Sequence, residues 1–93
     1  MKILTLNCGS SSVKYMVYDW DRRAILCQGN VERITHQDSF CIHKVFGKDA
    51  IKIEHYCPTH KQAIELVLRL IASATHGVVK DINEISAVGH RIV

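Results

Sequence analysis

No stretch of this 93-residue chain approaches the roughly 18 consecutive apolar residues that a membrane span requires. The net charge of +3 comes from scattered lysines and arginines, without the basic block that would follow a nucleic-acid backbone. After Met1 and Lys2, the sequence lacks the apolar core and the cleavage site of a signal peptide. These absences argue against membrane and nucleic-acid binding, and they predict a cytoplasmic protein.

Cysteine is scattered rather than clustered, at positions 8, 27, 41 and 57. Free thiols in a reducing compartment are expected, although an even number of cysteines also permits disulfides. A hydrophobic content of 47% with 23% charged residues is ordinary for a globular protein. The length allows one domain at most, residues 1–93, with a modest core.

Residues 2–56 carry the alternation and turn signals of β-strands. The nearly continuous apolar run at 2–7 is typical of a strand buried on both faces, and a bulge is expected at Gly29. The predicted strands are residues 2–7, 12–19, 23–34, 39–46 and 50–56. The first three make an antiparallel meander, and the last two make an inserted hairpin around Gly47.

A helix is predicted after Pro58, the only proline, which ends strand pairing because it has no amide hydrogen. Thr59 and Gln62 match a capping box, and Gly77 is expected to end the helix as a left-handed cap. The apolar residues that recur at helical spacing, and so define the predicted core face, are Ala63, Ile64, Val67, Leu68, Ile71 and Ala74.

The end of the chain predicts a short turn and a final strand. Asp81 and Glu84 are expected to cap a single turn, and residues 85–90 to form a buried strand. A meander, a crossover helix and then a strand is the order of the ribonuclease-H-like α/β fold. The crossover makes the last strand parallel to the first, which would bring Asn7 and Arg91 beside one cleft.

The turn after the first strand has the composition of a phosphate-binding loop. Gly9 lets the main chain approach closely, the serines at 10–12 supply donors, and Lys14 supplies positive charge. The neutral oxygen of Asn7 suits a hydrated magnesium ion. The spacing is not that of a Walker A loop, and the turn leads into a strand rather than a helix. The alternative interpretation is a hairpin turn whose serines only satisfy backbone groups.

The segment from Asn7 to Lys14, Asn-Cys-Gly-Ser-Ser-Ser-Val-Lys, closely resembles the first phosphate loop of the acetate kinase family. The resemblance continues at 31–34, at 60–65 and at 85–93, in the same order along the chain. It implies the fold of the actin, heat-shock protein 70 and sugar kinase superfamily. Since family members continue with His-Gly-Gly and are several times longer, the chain is expected to be the N-terminal part of the first of two domains.

The resemblance also implies roles for the residues of the turn. Asn7 is expected to contact magnesium, usually through water, although turn stabilisation is the simpler interpretation of an isolated asparagine. Ser10 and Ser12 are expected to face the transferring phosphoryl group, and Lys14 the phosphates of ATP. Ser11 is expected to stabilise the turn.

The Gly-His-Arg-Ile segment at the end of the chain resembles the part of the family that contacts the acyl substrate. Arg91 is expected to bind the carboxylate, because a guanidinium offers a planar two-pronged contact. Val93 is expected to line the small apolar pocket for the methyl group, and His90 is interpreted as structural. Without the resemblance, a salt-bridged surface arginine is the simpler interpretation of Arg91.

A zinc site is a competing hypothesis. Cys41 and His43 face the same side of a predicted strand. This pair and the pair formed by Cys57 and His60 flank one predicted hairpin. Neither pair has the usual Cys-x2-Cys or His-x3-His spacing, and the second pair spans the start of a helix.

The resemblance implies an ATP-dependent, Mg²⁺-dependent kinase that converts acetate to acetyl phosphate and that is a homodimer when intact. The Asn-Cys-Gly-Ser-Ser-Ser sequence is more typical of acetate and propionate kinases than of butyrate kinases. Propionate kinase, a noncatalytic nucleotide- or metal-binding module, and a structural fragment remain alternatives. Residues 1–93 alone are expected to be inactive.

Overall fold

The computed structural model describes residues 1–92, which form a six-stranded mixed sheet with one α-helix. The strands are β1 (Lys2–Cys8), β2 (Val13–Asp19), β3 (Ala24–Glu32), β4 (Phe40–Val45), β5 (Ile51–Glu54) and β6 (Ile85–Ile92). The helix α1 (His60–Ile71) lies between β5 and β6, and a short 3₁₀ turn (Ile82–Glu84) precedes β6. No helix among these residues is long and apolar enough to cross a membrane.

The strand order in the sheet is β5-β4-β3-β2-β1-β6. Each neighbouring pair is antiparallel except β1 and β6, which run parallel because α1 carries the chain back across the sheet. This topology confirms the predicted meander, inserted hairpin, crossover helix and parallel last strand. The carboxyl ends of β1 and β6 therefore meet at the same edge of the sheet.

The hydrophobic core lies between α1 and one face of the sheet. On β1, for example, Leu4, Leu6 and Cys8 are buried, whereas Asn7 on the opposite face is exposed. The helix contributes Ala63, Leu66, Val67, Leu70 and Ile71 to this core. We call the sheet surface that α1 covers the helix face, and the opposite surface the open face.

A buried polar contact crosses three strands on the helix face. Tyr15 on β2, Gly29 on β3 and His43 on β4 are partners in register. The Tyr15 hydroxyl donates to Nδ1 of His43, and Nε2 of His43 donates to the carbonyl oxygen of His76 at 2.8 Å. Gly29 makes this possible, since a Cβ atom there would lie 2.6 Å from the Tyr15 hydroxyl oxygen and 2.2 Å from the carbonyl oxygen of Ile42.

The turn before β6 has its predicted caps, whereas the start of α1 has the predicted N-cap at Thr59 but only this half of the predicted capping box. The Gln62 amide donates to the Thr59 hydroxyl oxygen at 3.3 Å. Asp81 and Glu84 form a complete capping box on the 3₁₀ turn. Glu84 also forms an ion pair with Lys2 at 3.0 Å, which ties this turn to the beginning of β1.

The predicted end of the helix was wrong. Helix α1 ends at Ile71 with Ala72 as its C-cap, and Gly77 does not have a left-handed φ. The amides of Val78 and Val79 donate to the Ile71 carbonyl oxygen at 2.9 and 3.1 Å. The last turn is therefore satisfied by chain that folds back onto it, rather than by a glycine cap.

The predicted core face of the helix was also partly wrong. Leu66 and Leu70 are buried, whereas Ala74 lies beyond the helix and is exposed. Ile64 and Leu68 are half-buried at the margin of the core. The buried stripe of α1 is therefore rotated relative to the predicted one.

Four predictions about strands need correction. Strand β1 is buried on the helix face only, and β6 is an exposed edge strand rather than a buried one, with Val88 58% exposed. The bulge in β3 falls at Leu26, which has no partner on β2, and not at Gly29. Strand β3 ends at Glu32, before Arg33 adopts a φ of 55°.

Candidate functional site

Three of the predicted site residues lie side by side on the open face. In the pairing register, Asn7 on β1 is the partner of Lys14 on β2 and of Arg91 on β6. All three residues are exposed, near the carboxyl end of β1. At a strand spacing of about 4.8 Å, the backbones at Lys14 and Arg91 are roughly 10 Å apart, with Asn7 between them. The predicted meeting of Asn7 and Arg91 at one edge is confirmed.

The two cations of this row have no acidic partner in the described part of the chain. The ion pairs among residues 1–92 involve neither Lys14 nor Arg91. The carboxylate of Glu32 lies on β3, but its hydrogen-bond donor is the side chain of Asn30 rather than either cation. Two uncompensated cations on either side of a neutral amide make this edge suitable for an anionic ligand.

The turn that joins β1 to β2 borders the row, and we call residues Gly9–Ser12 the serine turn. The Gly9 amide donates to the Ser12 carbonyl oxygen at 2.8 Å, which closes the turn. A Cβ atom at Gly9 would lie 2.9 Å from the Ser12 hydroxyl oxygen, so a larger residue at position 9 would displace that hydroxyl. Ser10 and Ser11 are exposed, and Ser12 is half-buried. The turn thus presents hydroxyl groups beside Asn7 and Lys14.

Two histidines contact the end of β1 and the serine turn from the helix face. Neither contact was predicted from the sequence. Nε2 of His60, the first residue of α1, lies 2.7 Å from the Gly9 carbonyl oxygen. Nε2 of His90 lies 3.2 Å from the Cys8 sulfur. The sequence signal for His60 was its position directly after the N-cap, but its partner is 51 residues away along the chain.

The row also continues beyond Lys14. Asn30 on β3 and Ile42 on β4 are the next partners in register. Together with Gln28 and Lys44 they line a shallow groove on the open face. A larger cavity, lined partly by Lys2, lies at the other end of β1 and contains none of the predicted site residues.

The remaining site prediction, Val93, lies outside the described residues, so its role stays a prediction. The four residues of the zinc hypothesis have other surroundings. Both ring nitrogens of His43 make hydrogen bonds, and Nε2 of His60 is engaged with Gly9. Within residues 1–92, no group of three or more His, Cys, Asp or Glu side chains could hold a metal ion.

The buried cysteines are free thiols in the described chain. Burial raises the pKa of Cys27 to about 11, and it raises the pKa of Cys41 and of Cys57 as well. Since the thiolate is the form that binds metals and attacks electrophiles, these side chains are suited to core packing rather than to chemistry.

The oxygen ligands at and near Asn7 fit a magnesium ion that keeps its bound waters and phosphate ligands. Mg²⁺ commonly keeps several waters and takes few protein ligands together with substrate phosphates. One exposed amide oxygen at Asn7, with the hydroxyls of Ser10 and Ser12 nearby, matches that mode of binding and not an all-protein cage. The residues present therefore fit a hydrated ion bound together with a phosphorylated ligand.

Comparison with known proteins shows the relatives of this chain. The sequence matches the model of the acetokinase family over residues 2–93. It is 55% identical over 93 residues to the acetate kinase of Geobacter sulfurreducens, covering 100% of this chain and 22% of that protein. It is 50% identical over 93 residues to the acetate kinase of Thermoanaerobacter pseudethanolicus, covering 100% of this chain and 23% of that protein. The chain therefore spans less than a quarter of the length of these curated relatives.

Solved structures show the same relationship. The acetate kinase of Porphyromonas gingivalis superposes with a TM-score of 0.91 at 37% identity, over 96% of this chain and 22% of that chain. A propionate kinase from Francisella tularensis superposes with a TM-score of 0.79 at 28% identity, over 99% of this chain and 22% of that chain. These kinases have the fold of the actin, heat-shock protein 70 and sugar kinase superfamily, so the predicted fold class is confirmed.

Proposed function

Because the chain belongs to the acetokinase family, we propose that it is the N-terminal part of an acetate kinase. In this proposal, the intact enzyme transfers the terminal phosphoryl group of ATP reversibly to acetate, giving acetyl phosphate and ADP. The observation that carries the proposal is the row of Lys14, Asn7 and Arg91 on three adjacent strands. The order of these residues supports binding of a phosphate group at the Lys14 end of the row and of a carboxylate at the Arg91 end.

Phosphoryl transfer depends mainly on positioning and on neutralising charge, and the exposed groups of the row suit both tasks. Lys14 holds the phosphates of ATP, and Ser10 and Ser12 donate hydrogen bonds to the transferring phosphoryl group. Arg91 grips the acetate carboxylate with its two-pronged guanidinium, which points an oxygen of acetate at the phosphorus. The attacking oxygen forms the new bond to phosphorus as the bond to the leaving oxygen of ADP breaks.

Asn7 holds magnesium through a bound water in this proposal. The ion, when bound, neutralises negative charge on the phosphates of ATP. The amide oxygen of Asn7 would hold one water of the hydrated ion. Val93 is proposed to contact the methyl group of acetate.

Propionate kinase is the second candidate, and the similarity to the Francisella tularensis structure supports it. The Porphyromonas gingivalis acetate kinase superposes more closely and is more similar in sequence, which favours acetate. Both enzymes would use the same row and differ in the pocket for the carbon tail.

The test is a phosphoryl-transfer assay on the full-length protein that carries this chain, with Mg²⁺ and ATP. We expect acetyl phosphate to form with acetate, and less product with propionate at the same concentration. The 93-residue chain alone serves as the control, and we expect no acetate-dependent turnover from it. If the full-length protein bound ATP but turned it over with neither acid, a noncatalytic module would replace this proposal. A higher catalytic efficiency with propionate would favour the second candidate.

A further inference from the structure

The contact between His60 and the serine turn has a defined direction. Nε2 of His60 lies 2.7 Å from the Gly9 carbonyl oxygen. A carbonyl oxygen only accepts hydrogen bonds, so Nε2 carries the proton and His60 donates. The imidazole is half-buried at the start of α1, directly after the N-cap Thr59. The beginning of the helix is thereby attached to the turn that borders Asn7 and Lys14.

Three of the four carbonyl groups of the serine turn accept hydrogen bonds from the protein. The Gly9 carbonyl accepts from His60, the Ser11 carbonyl from the Ile34 amide at 3.0 Å, and the Ser12 carbonyl from the Gly9 amide at 2.8 Å. No peptide bond in the described chain is cis. A trans peptide places its C=O and N–H groups on opposite sides of the chain. Holding a carbonyl in this way therefore aims the following N–H in the opposite direction.

The Gly9–Ser10 peptide is the one that His60 controls. Its carbonyl points toward the start of α1, so the N–H of Ser10 in this trans peptide points away from the start of α1. Within residues 1–92, the Ser10 amide has no hydrogen-bond acceptor from the protein. The Ser10 N–H is therefore an available hydrogen-bond donor in the turn that borders Lys14, and its peptide is held by His60.

We propose that His60 is a positioning residue for phosphoryl transfer, because its hydrogen bond to the Gly9 carbonyl keeps the Ser10 N–H aimed at the transferring phosphoryl group. The proposal rests on the proposed function. It assigns to His60 no contact with substrate. Without the imidazole, the Gly9–Ser10 peptide is free to rotate, since glycine resists such rotation least. A rotated peptide would turn a carbonyl oxygen toward a negatively charged ligand and withdraw the amide.

The experiment compares three variants of the full-length enzyme. His60→Leu removes the donor, His60→Gln restores an N–H donor on a side chain of similar reach, and His36→Leu is a matched control at an exposed histidine. We expect His60→Leu to lower kcat by about 10- to 100-fold, because a small displacement of a positioning group has effects of that size. The KM for acetate should stay within about twofold, because the acetate end of the row is untouched. His60→Gln should recover most of kcat, and His36→Leu should match the parent enzyme.

Crystal structures of the parent and of both His60 variants give a readout that does not depend on turnover. We expect the Gly9–Ser10 peptide to keep its orientation in the parent and in His60→Gln, and to lose it in His60→Leu. An unchanged peptide in His60→Leu, or a parent-like kcat for that variant, would overturn the proposal. Equal impairment of the folded Gln and Leu variants would overturn it too. A parent without acetate-dependent turnover would refute the proposed function, while the peptide orientation would still decide the role of His60.

Discussion

Replacing Gly29 with alanine should strongly destabilise the sheet, although the change adds a single methyl group. Gly29 lies between Tyr15 and His43 in register, and the Tyr15 ring passes over it to reach the imidazole. An alanine Cβ would lie 2.2 Å from the Ile42 carbonyl oxygen and 2.6 Å from the Tyr15 hydroxyl oxygen. The hydroxyl can swing away, but the carbonyl belongs to the neighbouring strand. Strand β3 must therefore move relative to β4.

Two costs contribute to the expected loss of stability. Forcing an extra methyl group into a packed site costs about 1 to 3 kcal/mol. Moving the Tyr15 hydroxyl away leaves Nδ1 of His43 without its donor in a residue that is 1% exposed, which costs about 1 to 3 kcal/mol more. We expect a total of about 2 to 6 kcal/mol, a large part of the roughly 5 to 15 kcal/mol that is typical of a domain.

Urea unfolding of the 93-residue chain measures this loss, followed by circular dichroism and by the fluorescence of its single tryptophan, Trp20. The matched control is Gly89→Ala on β6, where a Cβ atom would make an ordinary 3.7 Å contact with Thr5. This control should change the free energy of unfolding by less than about 0.5 kcal/mol. Gly29→Ala should remain destabilised in a Tyr15→Phe background, because the clash with Ile42 persists. Equal effects of the Gly29 and Gly89 substitutions would refute the reasoning.

Three further predictions concern pH, magnesium and acyl preference. Burial lowers the pKa of His43 from its ordinary 6.5, so the unfolded chain binds the proton more readily than the folded chain. The stability that His43 contributes above about pH 6.5 should therefore fall as the pH drops toward the lowered pKa. This pH dependence of the free energy of unfolding should be absent from His43→Leu but present in His36→Leu. Asn7→Ala in the full-length enzyme should weaken activity mainly at low Mg²⁺ and be partly relieved at high Mg²⁺, and a flat magnesium titration would reduce Asn7 to a turn residue. Val93→Ala should shift the ratio of catalytic efficiencies from acetate toward propionate and butyrate by at most about 10- to 200-fold, whereas an unchanged ratio would remove Val93 from the acyl pocket.

Local sequence signals predicted most of the fold because strands, turns and caps depend on neighbouring residues. The N-cap at Thr59 and the capping box at Asp81 are set within four residues, and both are present. The parallel pairing that brings Asn7 beside Arg91 follows from one crossover helix and its handedness. The meeting of Asn7 and Arg91 could therefore be predicted from the sequence, whereas the register that adds Lys14 to the row comes from the structure.

The features that sequence reasoning missed depend on contacts between distant segments. Helix α1 ends at Ile71 because amides from the following loop reach its carbonyl, and no glycine signal marks that event. Strand β6 reads as a buried strand, but within residues 1–92 it lies at the edge of the sheet with Val88 exposed. The role of His60 depends on a partner in the serine turn, which periodicity cannot identify.

The measurement that tests the central claim most directly is the acetate kinetics of Arg91→Lys and Arg91→Ala in the full-length enzyme, with Arg69→Ala on the exposed side of α1 as control. If the row of Lys14, Asn7 and Arg91 binds both substrates, Arg91→Ala should cost about 2 to 5 kcal/mol in kcat/KM for acetate. Arg91→Lys should recover little, because an ammonium cannot make the two-pronged contact with a carboxylate. The control should match the parent. Arg91→Lys kinetics equal to those of the parent would contradict the assignment of Arg91 to the carboxylate, and with it the functional interpretation of the row.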